Sequence, residues 1–306
     1  MLKRGFTAAL LLAAATAVPA AAPAHAQDAQ DTMEDVEIRV EHLRGGLFAL
    51  FGRGGNIGVS VGEDGVFLVD DQFAPLTDRI VAAVADIHPG PIRFVINTHW
   101  HFDHTGGNEN LGKAGAVIVA HDNVRVRMSQ DSFIEAFNRE VKAAPPAALP
   151  VVTFSDKASL HLNGEEARIH HVPNAHTDGD GIVHFTGTNV VHMGDVFFND
   201  RYPFIDVGSG GSLDGMIAAV EKVLAMTDDD TIIIPGHGPV TDKAGLREYH
   251  RMLRHTRDRV AALIAEGRDL DAVVAARPMA AFEAVWGQGD DWTTSYVGFA
   301  YQSLKR

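Results

Sequence analysis

Residues 98–108 read Thr-His-Trp-His-Phe-Asp-His-Thr-Gly-Gly-Asn, a run that places four potential metal ligands within six positions. A short segment rich in β-branched and aromatic residues precedes the run and predicts a strand that ends where the ligands begin. Because alternate residues of an extended chain point to the same side, we expect His99 and His101 to face one metal position. Asp103 and His104 follow as the chain enters a loop, and we expect them to turn toward a second position. One short loop is therefore expected to begin two metal sites.

Each metal position needs further ligands, and three loops later in the chain supply candidates. They are His176 in Pro-Asn-Ala-His-Thr, Asp195 in Gly-Asp, and His237 in Pro-Gly-His-Gly. Each candidate lies near glycine, proline or asparagine, residues that favour turns. One such residue alone would be an ordinary polar loop residue, but their occurrence together with the first run predicts a shared cleft. Imidazole nitrogens and carboxylate oxygens are suitable zinc ligands.

The N-terminus has the pattern of a secretory signal. Lys3 and Arg4 precede an apolar stretch, and Ala24-His25-Ala26 ends the segment with small outer residues. We expect residues 1–26 to be removed and residues 27–306 to form one domain in the periplasm, with full secretion as a second possibility. A retained N-terminal membrane anchor is the alternative, but the apolar stretch is short for a span.

Composition excludes several kinds of chemistry and several partners. The 306 residues are 46% hydrophobic, contain no cysteine and carry a net charge of −14. A chain of this size can bury a large core, but it has no thiolate ligand, cysteine nucleophile or disulfide. The negative charge argues against a nucleic-acid partner. No later segment is long and apolar enough to span a bilayer, so we expect no membrane partner after signal cleavage; the oligomeric state stays open.

Hydrophobic periodicity predicts two successive units of strands, a helix and a final strand. The predicted strands are 36–42, 47–51, 56–61, 66–70, 93–97, 116–120, 151–154, 157–162, 167–172, 181–186, 189–193 and 231–234. Helices are predicted at 77–87 and 212–226, and helical segments near 122–142. A helical tail follows, whose aromatic residues, among them Trp292 and Tyr296, are expected in the core. Prolines at 145, 146 and 150 mark the connection between the units. Two sheets packed together with helices outside would bury both.

The ligand motifs resemble those of the metallo-β-lactamase superfamily, since HxHxDH, a later histidine, Gly-Asp and Pro-Gly-His-Gly all match. The resemblance covers nearly the whole chain after the signal segment. It implies an α/β fold, the αβ/βα four-layer sandwich in which two β-sheets pack face to face with helices outside. The site would lie at the sheet edges between the two halves.

The resemblance also implies a role for each ligand, with two Zn2+ ions as the cofactors. His99, His101 and His176 would bind the first zinc. Asp103, His104 and His237 would bind the second, and Asp195 would bridge the two. Asp70 matches an acidic residue of the family that hydrogen-bonds a ligand histidine. A turn-initiating aspartate beside Asp71 is the alternative for Asp70.

These expectations predict the hydrolysis of a small-molecule carbonyl compound. Two zinc ions about 3.5–4 Å apart lower the pKa of a shared water from about 15.7 toward about 7. We expect the resulting hydroxide to attack the carbonyl carbon, with Asp103 as the catalytic residue that orients it. Export makes a β-lactam the first candidate substrate, whereas Asp195 stands where well-known lactamases have a cysteine. That pattern resembles glyoxalase II-type thioesterases and lactonases, which are the alternatives; an iron-dependent sulfur dioxygenase is the alternative of another class.

The segment after Asp195 is the best candidate for a substrate-binding wall. Arg201 would bind a substrate carboxylate through two hydrogen bonds, although it has Asp200 and Asp206 as alternative partners. Asn199 or Tyr202 would donate to an oxyanion. A further apolar face in the predicted helical segments near 122–142 is expected either to close over the cleft as a lid or to pack as an amphipathic helix. It consists of Phe133, Ile134, Phe137 and Val141.

Overall fold

The fold is known from a computed structural model that describes residues 33–306. The predicted signal segment, residues 1–26, lies outside the described residues. Asp35–Arg306 form one compact unit. Within the described part of the chain, no helix combines the length and apolar character needed to cross a membrane.

The first sheet contains seven strands, which are β1 (Arg39–Arg44), β2 (Leu47–Phe51), β3 (Ile57–Gly62), β4 (Gly65–Val69), β5 (Ile92–Ile96), β6 (Val117–His121) and β9 (Val152–Phe154). The strands β1 to β4 form an antiparallel meander with short turns, such as the one at Gly45, whose φ of +57° is in the left-handed region. The strands β4, β5, β6 and β9 are parallel neighbours. Parallel neighbours need a crossover, and helix α1 (Thr77–Ile87) provides it between β4 and β5.

The second sheet contains six strands, which are β10 (Lys157–Leu162), β11 (Glu165–His171), β12 (Gly181–Phe185), β13 (Val190–His192), β14 (Ile232–Ile234) and β15 (Thr241–Asp242). Neighbouring strands are antiparallel except β13 and β14, which are parallel. Helix α5 (Leu213–Met226) crosses between these two strands. The remaining helices are α2 (Phe102–Thr105), α3 (Asn108–Lys113), α4 (Asp122–Met128), α6 (Lys243–Ala265), α7 (Leu270–Ala275), α8 (Glu283–Trp286) and α9 (Asp290–Leu304).

The two sheets pack against each other through a shared apolar core. Phe67 of β4 stacks on Phe185 of β12 with ring centroids 5.8 Å apart, and both rings are buried. Burying one such side chain contributes about 1.5–3 kcal/mol. A second core joins the outer side of the second sheet, at Val191 and Ile233, to apolar residues of α5, α6 and α9. The predicted αβ/βα sandwich is confirmed.

The prediction of helical segments near 122–142 is wrong after Met128. Helix α4 ends at Met128, and the rest forms a two-stranded hairpin of β7 (Ser132–Ile134) and β8 (Arg139–Val141). The turn places Asn138 at φ +46°, which a continuing helix does not allow. Phe133 and Phe137 are half exposed on this hairpin, so the apolar face does not pack as an amphipathic helix.

The strand ends bring the predicted ligands to one edge of the sandwich. The loop after β5 carries the histidine-rich run from the first sheet. The loops after β11, β13 and β14 carry His176, Asp195 and His237 from the second sheet. Because loops at strand ends bear side chains on a rigid scaffold, this edge is suited to a functional site.

Candidate metal centre

The histidine-rich loop is held in place by Asp70, which follows β4. One carboxylate oxygen of Asp70 accepts a hydrogen bond from the backbone N–H of Thr98 at 2.7 Å, and the other accepts from the Thr98 hydroxyl at 2.8 Å. The backbone bends at Thr98, His99 and Trp100, is extended at His101, and then turns into the single-turn helix α2. This turn places Asp103 and His104 in a different group of potential ligands from His99 and His101.

The first group of potential ligands consists of His99, His101, His176 and Asp195, whose donor atoms all lie within 4.8 Å of one another. All four residues are buried. The Nε2 atom of His99 has no hydrogen-bond partner among the described residues, although it is buried and faces Asp195 Oδ2 at 3.9 Å. Burial, followed by the charge of His104, holds the pKa of His99 well below its usual value. A buried neutral imidazole with an unused nitrogen fits a metal ligand.

The second group consists of Asp103, His104 and His237, with donor atoms also within 4.8 Å of one another. Burial lowers the pKa of His237, but the nearby carboxylates of Asp195 and Asp103 outweigh it and raise that pKa to about 9. Burial raises the pKa of Asp103, but the neighbouring histidines lower it to about 2. Asp103 therefore carries a negative charge at neutral pH, and a metal would compete with protons for His104 and His237, whose pKa values the carboxylates raise.

Asp195 lies between the two groups and presents one oxygen to each. Its Oδ1 atom is 3.0 Å from His104 Nε2 and 3.4 Å from His237 Nε2, in the second group. Its Oδ2 atom is 3.6 Å from His176 Nε2, in the first group. This placement requires the glycine before it, since Gly194 has a φ of +52° and a Cβ there would lie 2.5 Å from the Thr98 hydroxyl. A carboxylate in this position can bridge two ions.

The outer nitrogens of three histidines are held by hydrogen bonds, which fixes the nitrogen that faces the centre. His104 Nδ1 donates to Asp70 Oδ2 at 2.8 Å, and His176 Nδ1 donates to the Phe204 carbonyl oxygen at 2.9 Å. His101 Nε2 donates to Asp206 at 3.0 Å. Of these three partners, only Asp70 was assigned to this role from the sequence.

Asp206 is the partner that the sequence analysis missed, having considered it only as a partner of Arg201. It is buried, and its second oxygen accepts a hydrogen bond from the Ser209 backbone N–H at 3.0 Å. It lies 105 residues after His101, in a loop without a recognisable pattern. No local signal in the sequence could have linked the two residues.

Replacing Asp206 by asparagine is expected to weaken metal binding by about 10–100-fold, the usual effect of losing a carboxylate partner of a ligand histidine. The amide oxygen can still accept from Ser209, so the loop should keep its conformation. Chelator competition measures the affinity. The control is Asp229→Asn, whose side chain is 82% exposed and paired with Arg247. Equal affinity in both variants would mean that Asp206 does not orient His101.

A cavity of about 270 Å³ opens beside the two groups. Its walls are aromatic, and its lining includes both Asp103 and Asp195. The aromatic lining residues are Phe73, Phe102, Phe137, Phe198, Phe204 and Trp292. Trp292, expected in the core, is therefore partly exposed at the cavity. The hairpin supplies Ile134 and Phe137 to the wall.

The three predicted substrate-binding residues have different positions. Arg201 lines the cavity. Tyr202 is completely buried, its ring stacks on Tyr296 at 4.7 Å, and its hydroxyl lies 3.4 Å from the Met279 carbonyl oxygen. The side-chain amide of Asn199 donates to the Pro239 carbonyl oxygen at 2.8 Å. Neither Asn199 nor Tyr202 lines the cavity, so the expectation that one of them donates to an oxyanion is corrected. Tyr202 packs in the core instead, and Asn199 holds a loop contact.

Comparison with known proteins identifies the family. The profile of the metallo-beta-lactamase superfamily matches residues 50–237, a stretch that contains all seven predicted ligands. The chain belongs to this superfamily. The described residues form the metallo-beta-lactamase fold and carry a histidine and aspartate cluster able to bind metal.

Curated relatives within the superfamily include hydroxyacylglutathione hydrolases. The enzyme from Polaromonas sp. is 29% identical over 164 residues, which cover 53% of this chain and 55% of that enzyme. The match thus spans just over half of the length of the Polaromonas enzyme. Hydroxyacylglutathione hydrolase GloC from Haemophilus influenzae is 29% identical over 166 residues, covering 54% of this chain and 76% of that enzyme.

Solved structures share the fold at low sequence identity. A metallo-beta-lactamase from Pontibacter korlensis superposes with a TM-score of 0.57 and 16% identity. The superposition covers 71% of this chain and 99% of the Pontibacter protein. At this identity the likeness concerns the fold alone.

Proposed function

We propose that this chain is an exported hydrolase that uses two zinc ions to cleave a small carbonyl substrate. The observation that carries the proposal is the position of Asp195, whose two oxygens face different groups of histidines. A single-ion site would need only one of those groups. The donors are nitrogen and oxygen atoms without sulfur, a set that suits zinc.

Bound zinc ions would act as Lewis acids that polarise the carbonyl and make water a nucleophile at neutral pH. The remaining roles belong to side chains of this protein. His99, His101 and His176 would hold the first ion, and Asp103, His104 and His237 the second, with Asp195 shared. Asp103 is the more exposed of the two carboxylates in these groups, with 20% of its side chain exposed at the cavity. Its carboxylate, ionised at neutral pH, would accept a hydrogen bond from the attacking water and orient it.

The aromatic wall and Arg201 would position the substrate. The aromatic rings exclude water from the reacting carbonyl, which strengthens electrostatic interactions there. Arg201 is partly buried at the cavity, and its Nε atom has no hydrogen-bond partner among the described residues. A guanidinium with an unused, buried N–H fits a substrate carboxylate.

A β-lactam is the first candidate substrate, because the predicted export would expose the enzyme to compounds outside the cytoplasm and β-lactams commonly carry a carboxylate. A thioester is the second candidate, supported by the hydroxyacylglutathione hydrolases among the relatives. A lactone fits the same carbonyl chemistry. Cleavage of the signal segment is tested by the mass of the mature chain, which should begin at Gln27; an intact N-terminus would refute cleavage and favour the retained anchor.

A hydrolysis panel on zinc-loaded protein of measured metal content tests the function. We expect turnover of at least one of three compounds: a chromogenic cephalosporin, a thioester or a lactone. His99→Ala should abolish it, because the first group loses a buried ligand. Cleavage of the thioester or lactone with an intact cephalosporin would reject the β-lactam assignment. No metal-dependent cleavage of any of the three would contradict the proposed hydrolase.

A further inference from the structure

A second cavity, of about 620 Å³, adjoins the metal centre. We call it the arginine groove, since its lining includes Arg39, Arg53 and Arg201. Phe73, Arg201 and His237 line both this groove and the cavity beside the ligands. The two spaces are therefore neighbours, and a molecule with its carbonyl at the metal centre can extend into the groove.

One side of the groove is formed by the first hairpin and the glycine-rich loop after it. Arg39 of β1 pairs across the strands with Phe51 of β2, and its guanidinium lies 3.8 Å from the centre of the Phe51 ring. Gly54, with φ +95°, approaches the metal centre so closely that a Cβ would lie 2.9 Å from Phe73 and 3.0 Å from the Asp103 carbonyl oxygen. This close approach keeps the neighbouring Arg53 beside the metal centre.

The charge of the groove is opposite to that of the whole chain. The net charge is −14, whereas the described residues that line the groove include three arginines and no aspartate or glutamate. One nearby acid, Glu41, pairs with Arg39 at 2.9 Å. A local cluster of cations attracts an anionic ligand and guides it past the surrounding negative charge.

Arg201 links the groove to the reaction site. As noted above, its buried Nε–H has no hydrogen-bond partner among the described residues. A buried donor left unpaired destabilises the folded protein. A ligand acid in the groove would satisfy this donor. Arginine forks match the oxygen pairs of carboxylates and of phosphates.

We propose that the arginine groove binds an acidic end of the substrate while the carbonyl lies at the metal centre. The substrate would therefore be a carbonyl compound with a carboxylate or phosphate on the part that extends past Arg201 toward Arg39 and Arg53. The inference rests on the proposed function, and it narrows the substrate class of that same site.

The test compares a double variant, Arg39→Gln with Arg53→Gln, with the control Arg247→Gln. Arg247 resembles Arg39, since it is about half exposed and pairs with an exposed acid, Asp229, at 3.0 Å, but it lies on α6 and lines neither cavity. The carbonyl class that the hydrolysis panel identifies is prepared in three versions, with a neutral, a carboxylate or a phosphate end. Calorimetric titration of zinc-loaded protein with glutarate and with inorganic phosphate adds a measurement that needs no turnover.

In the double variant we expect KM for an acidic substrate, and Kd for the matching anion, to rise about threefold to tenfold. KM for the neutral substrate should stay unchanged, and added salt should narrow the difference from wild type. A change limited to the carboxylate or to the phosphate compounds identifies the acid that the groove binds.

Equal effects of the double variant and Arg247→Gln on all substrates and both anions would overturn the inference. Failure of the proposed function gives a different result. In that case no substrate is turned over, while the titrations with glutarate and phosphate still decide whether the groove binds acids.

Discussion

Asparagine in place of Asp195 is expected to remove about one of two bound zinc ions. It should also lower kcat/KM by more than about 10–100-fold, which is the usual effect of removing a carboxylate that hydrogen-bonds a ligand histidine. The reason is that Asp195 presents an oxygen to each ligand group, at 3.0 Å from His104 and 3.6 Å from His176. An amide of the same shape is neutral and keeps only one oxygen. Metal analysis and steady-state kinetics on the same samples measure the two effects.

The exposed variant Asp229→Asn is the control for Asp195→Asn, because it removes the same charge far from the ligands. Circular dichroism shows whether the variant retains the fold. If folded Asp195→Asn protein bound as much zinc as wild type and kept its activity, Asp195 would not be a bridging ligand.

Alanine in place of Gly55 is expected to displace the His104 ring and to empty the second metal position. A Cβ at Gly55 would overlap the imidazole of His104, and neither the Gly55 backbone nor the His104 ring can move freely. The Gly55 backbone donates to the Asp103 carbonyl oxygen at 3.1 Å, and its carbonyl accepts from Gln72 at 2.7 Å. Overpacking of this kind costs about 1–3 kcal/mol of stability. We expect a lower Tm, loss of zinc and loss of turnover.

Gly298→Ala is the matched control for Gly55→Ala, since a Cβ at Gly298 in α9 meets no heavy atom within 4 Å. Inside a helix, alanine in place of glycine stabilises the protein by about 0.5–1 kcal/mol, so this control variant should keep or raise the Tm. Unchanged Tm and zinc content in Gly55→Ala would show that the loop adapts to the added methyl group. His104 would then not depend on the glycine.

The sequence predicted those features that are encoded locally. Short runs of apolar, β-branched residues between glycine turns predict the strands β3, β4 and β12. The helical spacing of Ile80 and Val84 predicts α1. The histidine-rich run and the three later loops were recognised because ligand type and spacing are themselves the signal. The sandwich and the gathering of the seven predicted ligands were predictable for these reasons.

Other features depend on contacts between residues distant in sequence, and these were missed. The apolar spacing of Phe133 and Phe137 suits a helix, but the turn at Asn138 produces a hairpin whose phenylalanines stay half exposed. Tyr202 follows the predicted ligand Asp195 closely, yet Tyr296, 94 residues after Tyr202, stacks on the Tyr202 ring in the core. Asp206 meets His101 only in the folded chain.

Zinc content measured together with activity tests the central claim most directly. Protein stripped of metal is titrated with zinc, passed over a desalting column and assayed for bound metal and for hydrolysis of the best substrate in the panel. The two ligand groups, joined by Asp195, predict two zinc ions per chain at saturation and turnover that requires bound zinc. Saturation at one ion, hydrolysis without metal, or iron as the dominant metal of the native protein, as in the dioxygenase alternative, would contradict the account.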